Sequence, residues 1–349
     1  MIKPENLLIV RTDRIGDVVL SLPLAPIIKK HLPECRITFL VRDYTRSLVE
    51  NHPYIDDVII LKESGKKISV RKNVRNIARY NFDSAVIVYP TFVTSLIIFL
   101  SKIKNRIGTG YRWYSFLFNQ KIYEHRKYAE KHELEYNVNL LRKFGIEENA
   151  SPGKVEFDLV PDKTSEEKVD EILRRSDIKS EEPIIIIHPG SGGSSVDLPQ
   201  QKFRSLVERI AGELTENIIL TGSDREKYLC ENLKLRPGIL NLAGKLDLPG
   251  MIALIKKCSI FISNSTGPIH IAAALDKYTI GFYPRIAACS PDRWGPYTNK
   301  KVIFTPKIEC SDCTREQCGR LDCMNSIEVT DIFYETEKIY KFIQDERRK

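Results

Sequence analysis

The sequence predicts an α/β protein made of two units of similar size, each a parallel sheet flanked by helices. Three observations carry this. Short apolar runs alternate with amphipathic stretches of helical period, the alternation pauses at a turn-rich segment around residues 150–164, and it then starts again. A length of 349 residues suits two domains, and 42% hydrophobic with 29% charged residues supplies a core for each.

In the first half the strand-like runs are Leu7–Val10, Ile37–Val41, Asp57–Leu61 and Ser84–Tyr89, with helical patterns between them at 17–30 and 70–80. Ala150-Ser151-Pro152-Gly153 and Val160-Pro161-Asp162-Lys163 carry turn chemistry, which places the linker there. The second half reads as a strand Ile184–Ile187, a Gly/Ser loop and a helix from Pro199 to Glu213. Next come a strand Asn217–Thr221, a helix from Asp224, a short run Asn241–Ala243 and a helix at 247–257. A strand Ser259–Ile262, a helix at 266–275 and a strand Thr279–Phe282 complete the set. The expected domains are 1–160 and 161–328, sharing a cleft, and the amphipathic helix in 329–349 is expected to fold back on the first domain.

The net charge of +8 is unevenly spread. Residues 1–150 hold 25 Lys/Arg against 16 Asp/Glu, and the remainder holds 29 against 30. The first half is therefore suited to an anionic partner, with a phosphorylated acceptor, a membrane surface and nucleic acid as candidates and plain solubility as the simpler reading. Lys66, Lys67, Arg71, Lys72, Arg75 and Arg79 gather on or before one helix, where they form either a binding face or a solvated one. The stretch Trp113-Tyr114-Ser115-Phe116-Leu117-Phe118 lies near Lys102, Lys104, Arg106 and Arg112, and the reading favoured for it is core packing over bilayer contact. Only four apolar residues follow the first six, too few for a signal-peptide core, and no apolar run approaches the roughly 18 residues of a membrane span. A cytosolic protein is expected.

Three segments carry chemistry. The first, Arg11-Thr12-Asp13-Arg14-Ile15-Gly16-Asp17, follows the first strand and puts Asp17 at a strand-to-helix junction. That is the carboxyl edge where open α/β sheets bind ligands. Asp17 is either a carboxylate complementing a helix dipole or a catalytic base. The second, His188-Pro189-Gly190-Ser191-Gly192-Gly193-Ser194-Ser195, is rich in backbone amides able to approach a phosphate, or is a plain connecting loop. The third, Ile262-Ser263-Asn264-Ser265-Thr266-Gly267-Pro268-Ile269-His270, ends a strand in a polar turn and opens a helix whose free N–H groups suit a diphosphate. His270 touches a phosphate or ribose there, or is a packed helix histidine. Two such loops in one domain favour a nucleotide.

Five ordered segments, LLIVRTDRIGDVVLSLPL, NHPYIDDVI, IIIHPGSGG, NSTGPIHIAAAL and DRWGPY, resemble glycosyltransferase family 9, the heptosyltransferases of lipopolysaccharide core assembly. The resemblance runs from about residue 7 to 330. It implies a GT-B architecture of two Rossmann-like domains facing a central cleft, the first for acceptor and the second for sugar nucleotide. It places the catalytic base on Asp17 and implies an inverting, metal-independent transfer of heptose from ADP-heptose, with no cofactor. Donor contacts fall on Ser191, Gly192, Asn264, Ser265, Thr266, Gly267 and His270. The anionic acceptor, lipopolysaccharide or lipid A-core in type, falls to Arg14, Arg75, Arg79 and Arg112. The implied enzyme is a monomer, peripheral on the cytoplasmic face of the inner membrane and meeting that surface transiently. Val196-Asp197-Leu198-Pro199 lacks a lysine that many relatives carry two residues before a Trp-Pro, and Ser265 stands where many carry an acidic residue. Another donor sugar is therefore the alternative, or compensation by Arg14, Arg285 or Arg293.

Eight cysteines divide into two groups. Cys35, Cys230, Cys258 and Cys289 are scattered and read as small apolar or inert thiols, whereas Cys310, Cys313, Cys318 and Cys323 are compact enough for zinc, for a disulfide or for free thiols. A Rossmann dehydrogenase lacks its G-x-G-x-x-G after the first strand, and a nucleic-acid-binding protein has only the charge of the first half behind it.

Overall fold

The computed structural model describes residues 2–65, 67–179, 181–308, 314, 316 and 322–348. Of the clustered cysteines, Cys310, Cys313 and Cys318 lie outside the described residues, as does Lys66 of the basic run. Cys323 is buried. The chain divides into two compact units, Met1–Val160 and Pro161–Lys349.

The first unit is a six-stranded sheet. Its strands are β1 (Asn6–Val10), β2 (Arg36–Val41), β3 (Asp57–Ile60), β6 (Ser84–Ile87), β7 (Asn105–Thr109) and β8 (Gln120–Ile122). Between β3 and β6 lies a short antiparallel pair, β4 (Glu63–Ser64) and β5 (Lys67–Ile68). The order is β3-β2-β1-β6-β7-β8, every neighbour parallel. Leu7, Leu8, Ile9 and Val10 are all fully buried, as expected for a strand covered on both faces by crossover helices. The second unit repeats the plan with β9 (Ile185–His188), β10 (Ile218–Leu220), β11 (Leu240–Asn241), β12 (Ile260–Asn264), β13 (Tyr278–Phe282) and β14 (Lys301–Phe304), in the order β11-β10-β9-β12-β13-β14. Counted within each sheet both orders are 3-2-1-4-5-6. The strand order reverses between β1 and β6, and again between β9 and β12, and those are the places where such sheets bind ligands.

The helix expected at 17–30 is two helices, Ile15–Val19 and Leu24–His31. Pro23 has no N–H to give to the turn before it, and the chain passes from one helix to the other through tight turns such as Ser21 N–H to Val18 O, 2.9 Å. The helix Phe92–Leu100 and the strands β7, β8 and β14 do not stand out in the sequence. FVTSLIIFL is apolar on nearly every side and carries no 3.6-residue period, while β7 and β8 are short and mostly polar.

Two expectations are corrected. The C-terminal helix Val329–Arg348 was expected against the first domain. Its buried residues Ile332, Phe333, Ile339 and Tyr340 instead join the core of the second unit with Phe203, Leu206 and Val207. Arg209 lies 4.1 Å over the Phe333 ring, and Arg347 donates to Glu181 O and Ser259 Oγ. Amphipathicity shows that a helix packs but not on what. The aromatic stretch 113–118, expected to be core, is split. Tyr114, Leu117 and Phe118 are buried, but Trp113 is 73% and Phe116 65% exposed.

Candidate active site

At the end of β1 the chain leaves the sheet through Arg11, whose N–H still bonds Leu40 O of β2 at 3.0 Å. The Arg11 side chain is fully buried. Its guanidinium donates from Nε to Asp13 Oδ1 at 2.8 Å, from Nη2 to Asp17 Oδ1, and from Nη1 to Glu133 Oε1 at 3.5 Å and Asn137 Oδ1 at 3.4 Å. Burial alone lowers the Arg11 pKa, but the charges of Asp13, Asp17 and Glu133 outweigh it and the net shift is upward. Arg126 donates to the same Glu133 oxygen, and to Asn137 Oδ1 at 3.3 Å. Asn137 Nδ2 donates to Leu20 O at 3.0 Å and so ties this cluster to the turn after the first helix.

Two guanidinium groups thus face three carboxylates, and a single proton would balance these charges. Burial, with Asp17 adding to it against the pull of Arg11, pushes the Asp13 carboxyl up to about 7. Asp17 sits in the first turn of its helix at the reversal point of the sheet and keeps 15% of its side chain open to solvent. Arg14, the exposed residue before that helix, stands three positions away.

In the second unit the loops after β9 and β12, which are paired strands, lie beside each other. Ser194 Oγ donates to Ser265 O at 2.9 Å and joins them. Asn264 is committed to holding the first loop, accepting from Leu198 N–H at 2.8 Å and donating to Pro189 O at 2.6 Å. Gly192 and Gly193 adopt φ of +57° and +77° with open space around them, a conformation glycine takes without strain. Ser191 Oγ is within reach of Ser195 N–H at 3.4 Å. Thr266 caps the helix Gly267–Ala274 by position, without a side-chain bond to it, and so leaves its hydroxyl uncommitted to the cap. His270 is buried one turn in. Burial pushes its pKa down to about 4, and its Nδ1 has no hydrogen-bond partner among the described residues.

The structure therefore brings Ser191, Gly192, Ser265, Thr266, Gly267 and His270 to one end of the second sheet, with Asn264 as their scaffold. The acceptor candidates are not all gathered. Arg112 is exposed beyond β7, on the same edge of the first sheet as Asp17. Arg75 and Arg79 lie on or just after the helix Val70–Ile77, which runs back toward the amino ends of the strands. Tyr80 O accepts from Asn6 Nδ2 at 2.7 Å, which puts Arg79 at the opposite edge from Asp17. That is a correction to the grouping of Arg79 with the site, and Arg75, one turn before it, stands on the same solvated face.

The model of glycosyltransferase family 9 (heptosyltransferase) matches residues 70–323. The chain belongs to this family. It is 30% identical over 314 residues to a Haemophilus influenzae protein provisionally named a glycosyltransferase, covering 86% of this chain and 89% of that protein. It is 25% identical over 356 residues to lipopolysaccharide heptosyltransferase 1 of Campylobacter coli, covering 95% and 98%. Its fold is similar to that of Escherichia coli ADP-heptose lipopolysaccharide heptosyltransferase II, with a TM-score of 0.78, 20% identity, and 98% and 99% of the two chains covered.

In this family 9 glycosyltransferase several site residues were invisible in the sequence. Glu133 and Asn137 come to Arg11 from far along the chain, and Arg126 reaches the cluster through Glu133. Glu226 is another. Its Oε2 accepts from Ser223 N–H at 2.6 Å and Ser223 Oγ at 2.7 Å, while its Oε1 accepts from Gly192 N–H at 3.2 Å. Burial works against its charge, but these bonds prevail and its pKa is lowered. The only signal for it is Ser223-x-x-Glu226, a capping-box pattern. Buried His188 bonds Thr221 Oγ1 at 3.0 Å, and burial pushes it down to about 4, so it is neutral near pH 7. Among the described residues no three His, Cys, Asp or Glu side chains gather as metal ligands.

Proposed function

We propose that this glycosyltransferase moves a heptose from ADP-heptose to an anionic acceptor of the lipopolysaccharide-core type, with inversion at the anomeric carbon. The observation that carries the reading is Asp17, a partly open carboxylate at the reversal point of the first sheet, fixed by a fully buried guanidinium. The names of the Campylobacter coli and Escherichia coli proteins supply the sugar and the acceptor class.

In the reaction Asp17 takes the proton of an acceptor hydroxyl as that oxygen attacks the anomeric carbon. The bond from that carbon to the β-phosphate oxygen breaks, and ADP leaves with the electron pair. The N–H groups at Thr266–Gly267 and in the Gly/Ser loop beside Gly192, whose own N–H is held by Glu226, meet the diphosphate charge, and the neutral, buried His270 offers a hydrogen bond to phosphate or ribose. Arg14 and Arg112 hold the anionic acceptor. The amides and cations take the part a metal ion plays elsewhere, and the enzyme works as a monomer in the cytosol. Among the described residues no helix is long and apolar enough to cross a membrane.

A screen of ADP-, GDP- and UDP-sugars by thermal shift and turnover, with a purified core acceptor and with chelator present, tests the reading. Selective stabilisation and turnover by ADP-heptose supports it. Turnover of another nucleotide sugar alone replaces the donor, an outcome that Ser265 would explain. Loss of turnover on chelation, with the fold intact, overturns the metal-free step.

A further inference from the structure

One surface of the first unit combines exposed apolar rings with basic side chains. Between Asp83 and Glu124 the sequence has no acidic residue, yet it has Lys102, Lys104, Arg106, Arg112 and Lys121. Within that span the helix Phe92–Leu100 carries no charged side chain at all. Its inner side packs Ile97 and Ile98 into the core, and its outer side leaves Phe92, Phe99 and Leu100 exposed. Phe92 and Phe99 are seven residues apart and so share a face.

The loop after β7 enlarges this face. Tyr114, Leu117 and Phe118 anchor the loop in the same core, and Tyr114 Oη donates to Pro90 O at 2.7 Å. The anchoring turns Trp113 and Phe116 outward, and the Trp113 ring stacks on Phe92 with centroids 4.9 Å apart. Arg106 braces loop against helix, donating to Leu117 O at 2.8 Å with its guanidinium 5.3 Å from the Phe99 ring centroid. Lys102, Lys104 and Arg112 remain exposed in the chain around these rings. A contiguous group of exposed rings marks a contact surface. Tryptophan and phenylalanine bordered by cations of one sign match the interface of an anionic bilayer, where the rings enter the headgroup layer and the cations meet phosphate. A protein partner would have to cover the same rings while offering only acidic groups around them.

We propose that the face formed by Phe92, Phe99, Leu100, Trp113 and Phe116, with Lys102 and Lys104 beside it, docks this protein on an anionic phospholipid bilayer. The proposal draws on nothing in the donor site. Vesicle binding is measured with neither donor nor acceptor present, so this inference and the transfer reading fail separately.

The test is flotation of the full chain with vesicles of phosphatidylethanolamine and phosphatidylglycerol, and with vesicles of phosphatidylcholine alone. The expected result is salt-sensitive binding to the anionic vesicles only, with a blue shift of Trp113 emission in a Trp294→Phe background. The pairs Trp113→Ala with Phe116→Ala, and Lys102→Glu with Lys104→Glu, each weaken binding by about tenfold or more. Tyr334→Ala, an equally exposed aromatic change on the C-terminal helix, leaves it unaltered. The side chains exchanged at 102, 104, 113, 116 and 334 are exposed, and an unchanged thermal midpoint confirms the fold of each variant. Binding that survives both pairs, or no binding to the anionic vesicles, overturns the proposal. Loss of binding in both pairs but not in the control supports it.

Discussion

The buried guanidinium of Arg11 donates to the carboxylate of Asp17, six residues further along the chain. A strand end and the first turn of the next helix are thereby locked together around one ion pair. Asp17 cannot swing away without leaving a cation buried and short of a partner, so its position is set before any substrate arrives. Removing the carboxylate as a base while keeping its shape isolates the chemistry. Asp17→Asn should lower turnover by about a hundredfold to ten-thousandfold, the usual share of a general base, with nucleotide affinity little changed. Turnover and ADP binding by calorimetry measure the two effects. Near-normal turnover removes Asp17 from the role of base.

Arg11 itself should matter for folding more than its one position suggests. It meets Asp13, Asp17 and Glu133 at once, and its loss leaves buried carboxylates facing each other. Arg11→Met, similar in length and uncharged, is expected to cost about 3–5 kcal/mol in chemical denaturation, the range found when one partner of a buried pair is removed. Arg11→Lys keeps the charge but not the planar fork that reaches several acceptors at once, so it should recover only part of the loss. A cost below about 1 kcal/mol for Arg11→Met would mean that the carboxylates find other partners.

Asp13 gives the cluster a pH dependence near neutrality. Its carboxyl is raised to about 7, first by burial and then by Asp17. Below that pH the protonated Asp13 donates toward Asp17, and above it Asp13 adds a negative charge beside the base. The acid limb of kcat/KM should therefore fall near pH 7 in the native protein and be displaced or lost in Asp13→Asn. Stability runs the other way. The folded pKa lies above the unfolded 3.8, so the native state holds the extra proton between about 4 and 7, and the contribution of Asp13 declines as pH rises through that window. Denaturation midpoints of native and Asp13→Asn protein should diverge in favour of the variant between pH 4 and 7. Superimposable pH profiles for the pair would remove Asp13 from both roles.

The legible parts of this protein were those with short-range signals. Apolar strands buried on both faces, followed by a polar turn, marked β1, β9 and β12, and so placed Asp17, the Gly/Ser loop and Thr266–Gly267 at sheet edges. Glu133 was not legible because it is 122 residues from Arg11, and Glu226 because it is 34 from Gly192. No local pattern reports such pairings. The charge on the helix Val70–Ile77 is legible in the sequence, but the edge of the sheet it reaches is not. A crossover helix returns to the amino edge of the sheet, which carries Arg79 away from Asp17. The exposure of Trp113 and Phe116 is not legible because one aromatic stretch feeds both the core and the surface, alternating within a single turn.

The Gly/Ser loop offers a test that depends on this packing. A Cβ at Gly190 would lie 1.8 Å from Glu226 Oε1 and 2.3 Å from its Cδ. The obstacle is the end of a flexible side chain, so Gly190→Ala should fold, but only by expelling Glu226 from the loop. Gly192 N–H then loses its acceptor, and the left-handed turn at Gly192–Gly193 loses the bond that orders it. Glu226→Ala should release the same turn from the other side. If this loop holds the donor diphosphate, both variants weaken ADP binding by about tenfold, the two effects do not add, and Asp17→Asn shows neither. Calorimetric titration with ADP measures it for single and double variants. Native-like ADP affinity in both single variants would place the diphosphate elsewhere, at the Thr266–Gly267 helix start alone.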